Sequence, residues 1–156
     1  MPATTYDRFE TPARAEPSRL APASAGGPAT GPVAATLRLE GAVALTAAVL
    51  AYRGTGGSWA LFAGLFLLPD LTMLGYLANR RVGAAVYNAG HTYLTPATLA
   101  LAGWATGVPG LLGPALIWAA HIGFDRLMGY GLKYSTAFGA THLGWRGKRE
   151  GASRGR

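Results

Sequence analysis

The chain has 156 residues, of which 50% are hydrophobic and only 13% charged, with 23 glycines and a mean hydropathy of +0.21. So little charge beside so much apolar residue and glycine argues against an ordinary soluble domain and for a small bundle of membrane helices, and the length allows one domain. Cysteine is absent, which excludes disulfides and thiolate metal sites, so a metal ion would need histidine and carboxylate ligands.

The formal net charge of +7 could suggest a nucleic-acid partner, but its distribution argues against one. Seven of the 14 Lys/Arg lie at or after Arg126, most of them in the tail GWRGKREGASRGR. A basic flank beside apolar spans is what the positive-inside rule produces, so no nucleic acid is expected.

Residues 1–36 carry six of the ten prolines and no hydrophobic periodicity, and so are expected to form a disordered arm. They lack the basic start and apolar core of a signal peptide. Residues 37–144 are expected to form a four-span membrane domain, and residues 145–156 a basic cytoplasmic tail. The fold class is therefore all-α, a four-helix transmembrane bundle with two polar ends.

The first segment runs from about Leu37 to Tyr52 and is barely long enough to cross ~30 Å at ~1.5 Å per residue. After RGTGGS the second runs from about Ser58 to Ala78. NRR separates it from the third, about Val82 to Thr106, and TGVPG leads into the fourth, about Val108 to Tyr134. Arg80 and Arg81, the basic arm and the basic tail fall on one side of four spans, which predicts that both termini are cytoplasmic.

Counted inward from that side, Asp70, His91 and Asp125 each lie eight or nine residues deep, ~12–14 Å at the rise of an α-helix. His121 stands one turn from Asp125 on the same face. Ionisable groups at bilayer depth are costly unless paired or facing a cavity, so their common level predicts an interior pocket open to the cytoplasm. The stripe Asn88, His91, Thr92, Thr95, with Tyr87 one turn away, and the stripe Trp118, His121, Asp125, Met128 are expected to face that pocket. Pro69 and Pro96 each remove a helix hydrogen bond, which would leave the carbonyls of Leu65 and Thr92 without an amide partner. Tyr130, Lys133 and Tyr134 suit an interface anchor or, with Tyr87 and Asn88, a substrate-binding mouth for an anionic headgroup. Gly75, Gly83, Gly90 and Gly123 are expected to allow close helix packing.

The runs LPDLTMLGYLA, VYNAGHTYLTPATL, IWAAHIGFDRLMGYGLKY and THLG resemble domain-of-unknown-function family 4260, small bacterial membrane proteins, over about Leu37 to Gly144. The resemblance implies a bacterial inner-membrane location and supplies no reaction. A narrower likeness, confined to Pro69-Asp70, His91 and His121/Asp125, is to membrane-bound metal-dependent hydrolases, whose richer His/Asp signature this chain lacks.

Asp70, His91, His121 and Asp125 could ligate one divalent cation (Zn, Fe or Mn), run metal-free acid–base chemistry, or join helices as hydrogen-bonded pairs. The reading that follows is a small membrane-embedded enzyme, either a metal-assisted hydrolase or an acid–base isomerase, acting on an apolar or lipid-like substrate. The alternative is a non-enzymatic membrane subunit or a proton- or ion-responsive carrier component. The lipid bilayer is the expected partner, and homo-oligomerisation would cover polar faces of so small a bundle.

Overall fold

The computed structural model describes residues 28–146. Most of the expected arm and all but the first two residues of the expected tail lie outside them. Helix α1 spans Gly31–Gly54, so the last six residues assigned to the arm are helical. Pro32 in its first turn has the fixed φ a helix start needs and no amide to waste. The segment expected to be shortest is thus the longest helix, 24 residues or ~36 Å.

The second segment is helical throughout but of two kinds: α2 (Trp59–Phe66) and then a ten-residue 3-10 helix, Leu68–Leu77. At three residues per turn, side chains three apart stack in line, and the sequence obeys that period. Leu68, Leu71, Leu74 and Leu77 form one exposed edge. Thr72 and Gly75 meet the next helix, and Asp70 and Met73 line a cavity. Past Pro69 the ladder changes to the tighter winding, with the Asp70 amide donating to the Leu67 carbonyl at 3.1 Å.

The third segment breaks in two. Asn79 caps α3 (Arg80–Gly90) by accepting from the Val82 amide at 2.9 Å. After His91–Tyr93 the chain enters α4 (Leu94–Thr106). Pro96 therefore sits in the first turn of a new helix rather than inside an old one, and the Thr92 carbonyl accepts from the Thr95 amide at 3.2 Å. The expected continuous face Asn88–His91–Thr92–Thr95 does not form, because the helical phase is lost at the break.

A short 3-10 turn, Pro109–Leu111, leads into α5 (Leu112–Met128), which ends at Gly129 in the left-handed region, φ 81°. A residue with a Cβ is strained there, so GYG is a stop signal and the fourth segment ends six residues before Tyr134. Arg38 and Arg146 donate to the last carbonyls of α5, where the helix dipole favours cations. Beyond it, β1 (Ala140–Thr141) and β2 (Gly144–Trp145) form a small antiparallel hairpin outside the all-α expectation.

Helix α5 is the centre of the fold, packed against α1, α4 and α2, while α3 packs on the 3-10 helix. Small residues make both contacts possible. A Cβ on Gly123 would lie 2.6 Å from the Leu45 amide nitrogen and 2.9 Å from the Gly41 carbonyl oxygen. Across the other contact, a Cβ on Gly90 would meet Thr72 at 2.5 Å and one on Gly75 would meet Val86 at 3.0 Å, while Gly83 lies against the Tyr76 ring. Close packing at all four predicted glycines is therefore observed. Two helical stretches, Gly31–Gly54 and Trp59–Leu77, are long and apolar enough to cross a membrane.

Candidate metal centre

Four side chains from three parts of the chain converge beneath α5. Asp70 comes from the start of the 3-10 helix, where Pro69 is buried and the Asp70 amide is tied to the Leu67 carbonyl at 3.1 Å. His91 comes from the break between α3 and α4, and His121 and Asp125 from one face of α5. His91 and His121 are buried, Asp125 nearly so, and the Asp70 side chain is 43% exposed.

The break that presents His91 leaves backbone carbonyls that α3 cannot use, and α5 supplies their donors. Trp118 Nε1 donates to the Gly90 carbonyl at 2.7 Å, and the Arg126 guanidinium donates to the His91 carbonyl at 2.8 Å. Buried irregular backbone must be satisfied in this way. The two residues lie on α5 on either side of His121 and Asp125, so the same helix repairs the break and completes the cluster.

The His91 ring is fixed on both sides. Tyr87 stacks on it at 3.8 Å between centroids, with the planes 13° apart. Its Nδ1 faces the Tyr87 carbonyl at 3.0 Å and the Thr72 hydroxyl at 3.4 Å. Thr72 already gives its hydrogen to the Pro69 carbonyl at 2.6 Å, so both neighbours of Nδ1 present lone pairs. Nδ1 therefore carries the proton and Nε2 the free lone pair, the arrangement in which a backbone acceptor orients a ligating imidazole.

That lone pair faces the second imidazole and two carboxylates. His91 Nε2 lies 3.3 Å from His121 Nε2, 3.5 Å from an Asp70 oxygen and 3.6 Å from an Asp125 oxygen. His121 Nε2 lies 3.6 Å from the same Asp70 oxygen and 3.9 Å from the same Asp125 oxygen. Charge-assisted hydrogen bonds run about 2.7–2.9 Å, so most of these distances are too long for direct pairing. Ligand atoms about 2.1 Å from a tetrahedral ion would stand about 3.4 Å apart, and the His91–His121, His91–Asp70 and His121–Asp70 separations lie near that edge length. Tyr87 donates its hydroxyl to Asp125 at 3.3 Å, and His121 Nδ1 is buried without a partner among the described residues.

A cavity of about 330 Å³ reaches the cluster from the Asp70 side. Its lining includes Asp70, His121 and Asp125, the apolar Phe66, Leu67, Met73, Phe124 and Phe138, and the cations Lys133 and Arg146. Of the substrate-binding residues named from sequence, Tyr87, Tyr130 and Lys133 line this cavity. Asn88 instead clasps the Lys133 backbone, donating to its carbonyl at 2.9 Å and accepting from its amide at 2.7 Å, and Tyr134 is not among the lining residues. Lys133 lies beyond the end of α5, and burial pushes its ammonium below its ordinary pKa.

Sequence reasoning overlooked Thr72, Arg126, Arg146 and His142. The signals for the first two were present, since Thr72 stands one turn of 3-10 helix from Pro69 and Arg126 is a cation inside an apolar helix. His142 accepts from the Leu132 amide at 2.8 Å through Nδ1 and shares a small cavity with Glu40, Tyr93 and Arg126. Burial, and then the Arg126 charge, push its pKa below the ordinary value.

A family model described as "Domain of unknown function (DUF4260)" matches residues 34–145. No curated protein and no solved structure matches the chain.

Proposed function

The chain belongs to the DUF4260 family, whose description carries no reaction, and we propose from the geometry of its site that it is a membrane-embedded, divalent-metal-dependent hydrolase acting on a lipid-like substrate. The observation that carries this reading is the clustering of ligand atoms from Asp70, His91 and His121 within 4.8 Å of one another, with an Asp125 oxygen 3.6 Å from His91 Nε2 beside them. The two carboxylates and the His91 lone pair also repel one another unless a cation joins them.

Two imidazole nitrogens and the Asp70 carboxylate suit zinc best, with iron(II) or manganese as the harder alternatives, and Asp125 stands beside them. A catalytic ion keeps one position for water and lowers that water's pKa. Asp70, more exposed than the other three, would be placed to take the proton from the attacking water and return it to the departing oxygen as the substrate bond breaks.

The membrane setting rests on the two long apolar helices and on the exposed leucine edges of α1 and the 3-10 helix. We place α2 with the 3-10 helix, α3 with α4, α1, and α5 as four crossings with both termini cytoplasmic. Reporters at both ends should then read the same side and one inserted at Gly56 the opposite side, and termini on opposite sides would remove this topology.

The hydrolase reading is tested by metal analysis of protein purified in detergent without chelator, then stripped and reloaded. About one zinc, iron or manganese ion per chain, lost on changing His91 to Ala, is the expected result. Folded protein that neither retains nor rebinds a metal would transfer the site to metal-free acid–base chemistry or to structural pairing.

A further inference from the structure

The cavity that reaches the metal ligands is also lined by charge of the opposite kind, Lys133 and Arg146. Lys133 Nζ lies 3.6 Å from the Phe138 ring centroid, 4.9 Å from that of Tyr87 and 5.4 Å from that of Tyr76, and donates to the Phe138 carbonyl at 3.3 Å. Arg146 stands 4.8 Å over the Tyr130 ring, with two of its donors on the carbonyls of Met128 and Gly129. Among the described residues neither cation has a carboxylate within ion-pair distance. Aromatic faces orient such cations without neutralising them.

The charges in the cavity can be added. Asp70 and Asp125 contribute two negative charges, a divalent ion two positive ones, and Lys133 and Arg146 two more, which leaves a net charge of about +2 in a low-dielectric space. A phosphate monoester carries about −1.5 to −2 near neutral pH, with oxygens suited both to a metal ion and to lysine and arginine. The remaining walls are apolar, and Leu67, Phe124 and Phe138 among them are exposed on the outer surface. A cavity of about 330 Å³ lies at the small end for ligand sites, so it suits a headgroup with its first carbons, the chain leaving past those three residues.

We propose that the cavity binds a phosphate monoester carried on an apolar chain, its phosphate held between the metal centre and the Lys133/Arg146 pair. This rests on the metal centre proposed above, because without the ion the same residues sum to zero charge and offer an anion no net attraction.

Binding is measured by titration calorimetry on zinc-loaded protein in a non-ionic detergent, with dodecyl phosphate, inorganic phosphate and dodecanol as probes, and metal content is determined on every sample. Dodecyl phosphate should bind at least tenfold more tightly than either of the others. It should weaken at least tenfold in Lys133→Met, which keeps the Asn88 clasp because that clasp uses only the Lys133 main chain. Arg146→Met should weaken it as well, and stripping the metal should abolish it. Inorganic phosphate binding as tightly as dodecyl phosphate would overturn the amphiphile, leaving a free-phosphate site. Equal binding of dodecanol, or unchanged affinity in a metal-replete Lys133→Met, would overturn phosphate recognition with the metal centre intact. Protein that binds no metal fails the hydrolase reading first, and that outcome is read from the metal content alone.

Discussion

His91 Nε2 and His121 Nε2 face each other at 3.3 Å across the interface between the α3–α4 break and α5. One of these nitrogens carries no proton, since the proton of His91 is held on Nδ1 by the Tyr87 carbonyl. Two carboxylate oxygens close the other sides of the gap. The structure has thus spent a helix break, a 3-10 helix and two buried aromatic contacts on gathering acceptors, an outcome that packing alone would avoid.

Asp125 distinguishes a ligand from a hydrogen-bonded brace. In Asp125→Asn the amide oxygen can still accept from the Tyr87 hydroxyl, so folded yield in detergent should stay near the native level, while metal affinity should fall more than tenfold. Asp125→Leu should lose both. Native metal content in the Asn variant would show that Asp125 is only a brace.

Trp118 should matter to the metal although it never touches the centre. Trp118→Phe leaves the Gly90 carbonyl without its donor next to His91, at a cost of about 1–3 kcal/mol in stability, and should loosen metal binding as the His91 backbone shifts. Trp104→Phe is the control, because Trp104 is 82% exposed and should change stability by no more than about 0.5 kcal/mol. Equal metal affinity in the two variants would dissociate the repair of the break from the site.

The four central residues could be found from sequence because ionisable groups are rare in apolar runs, Asp70, His91 and Asp125 count to one depth, and His121 stands one turn from Asp125. Depth survives errors in helix type, which is why Asp70 was located although its segment is wound as a 3-10 helix. The leucines at 68, 71, 74 and 77 spell a period of three, but the expectation of an α-helix in an apolar segment hides it. The break at His91 was not legible because its partners, Trp118 and Arg126, are distant in sequence, and the proline at position 96 drew attention to the wrong position. Asn88 was read as a pocket residue on helical phase alone, whereas an amide can match a backbone strand edge, and here it does.

The contact between α1 and α5 gives a sharper test of packing. Gly123→Ala drives a methyl group into the α1 backbone at Leu45 and Gly41, neither of which can rotate away, and should cost about 1–3 kcal/mol or more. Gly113→Ala, on the same helix, meets only Tyr52 Cε2 at 3.6 Å and should be neutral or slightly stabilising, since alanine is the better helix former. The comparison is one of melting temperatures in the same detergent. Equal shifts would mean that the two helices do not approach as closely as described.

The last prediction concerns His142, which lies beyond the helices and whose protonation state the hairpin depends on. Its Nδ1 accepts the Leu132 amide at 2.8 Å, while its own amide donates back to the Leu132 carbonyl at 3.1 Å. Protonation would turn Nδ1 from acceptor to donor and set a new positive charge near Arg126, with Glu40 and Tyr93 around the same small cavity. Burial and Arg126 hold the folded-state pKa below that of the unfolded chain, near 6.5, so between the two values the unfolded state binds more protons and stability rises with pH. The contribution is fully present above about pH 6.5 and is lost as pH falls through the folded-state value. Replacing His142 by Gln keeps an oxygen acceptor for the Leu132 amide and removes the titration. The measurement is melting temperature between about pH 8 and 5 for both proteins in the metal-loaded state, so that protonation of the metal ligands enters both curves alike. The native protein should lose more stability on acidification than the Gln variant, and parallel curves would show that His142 does not sense pH.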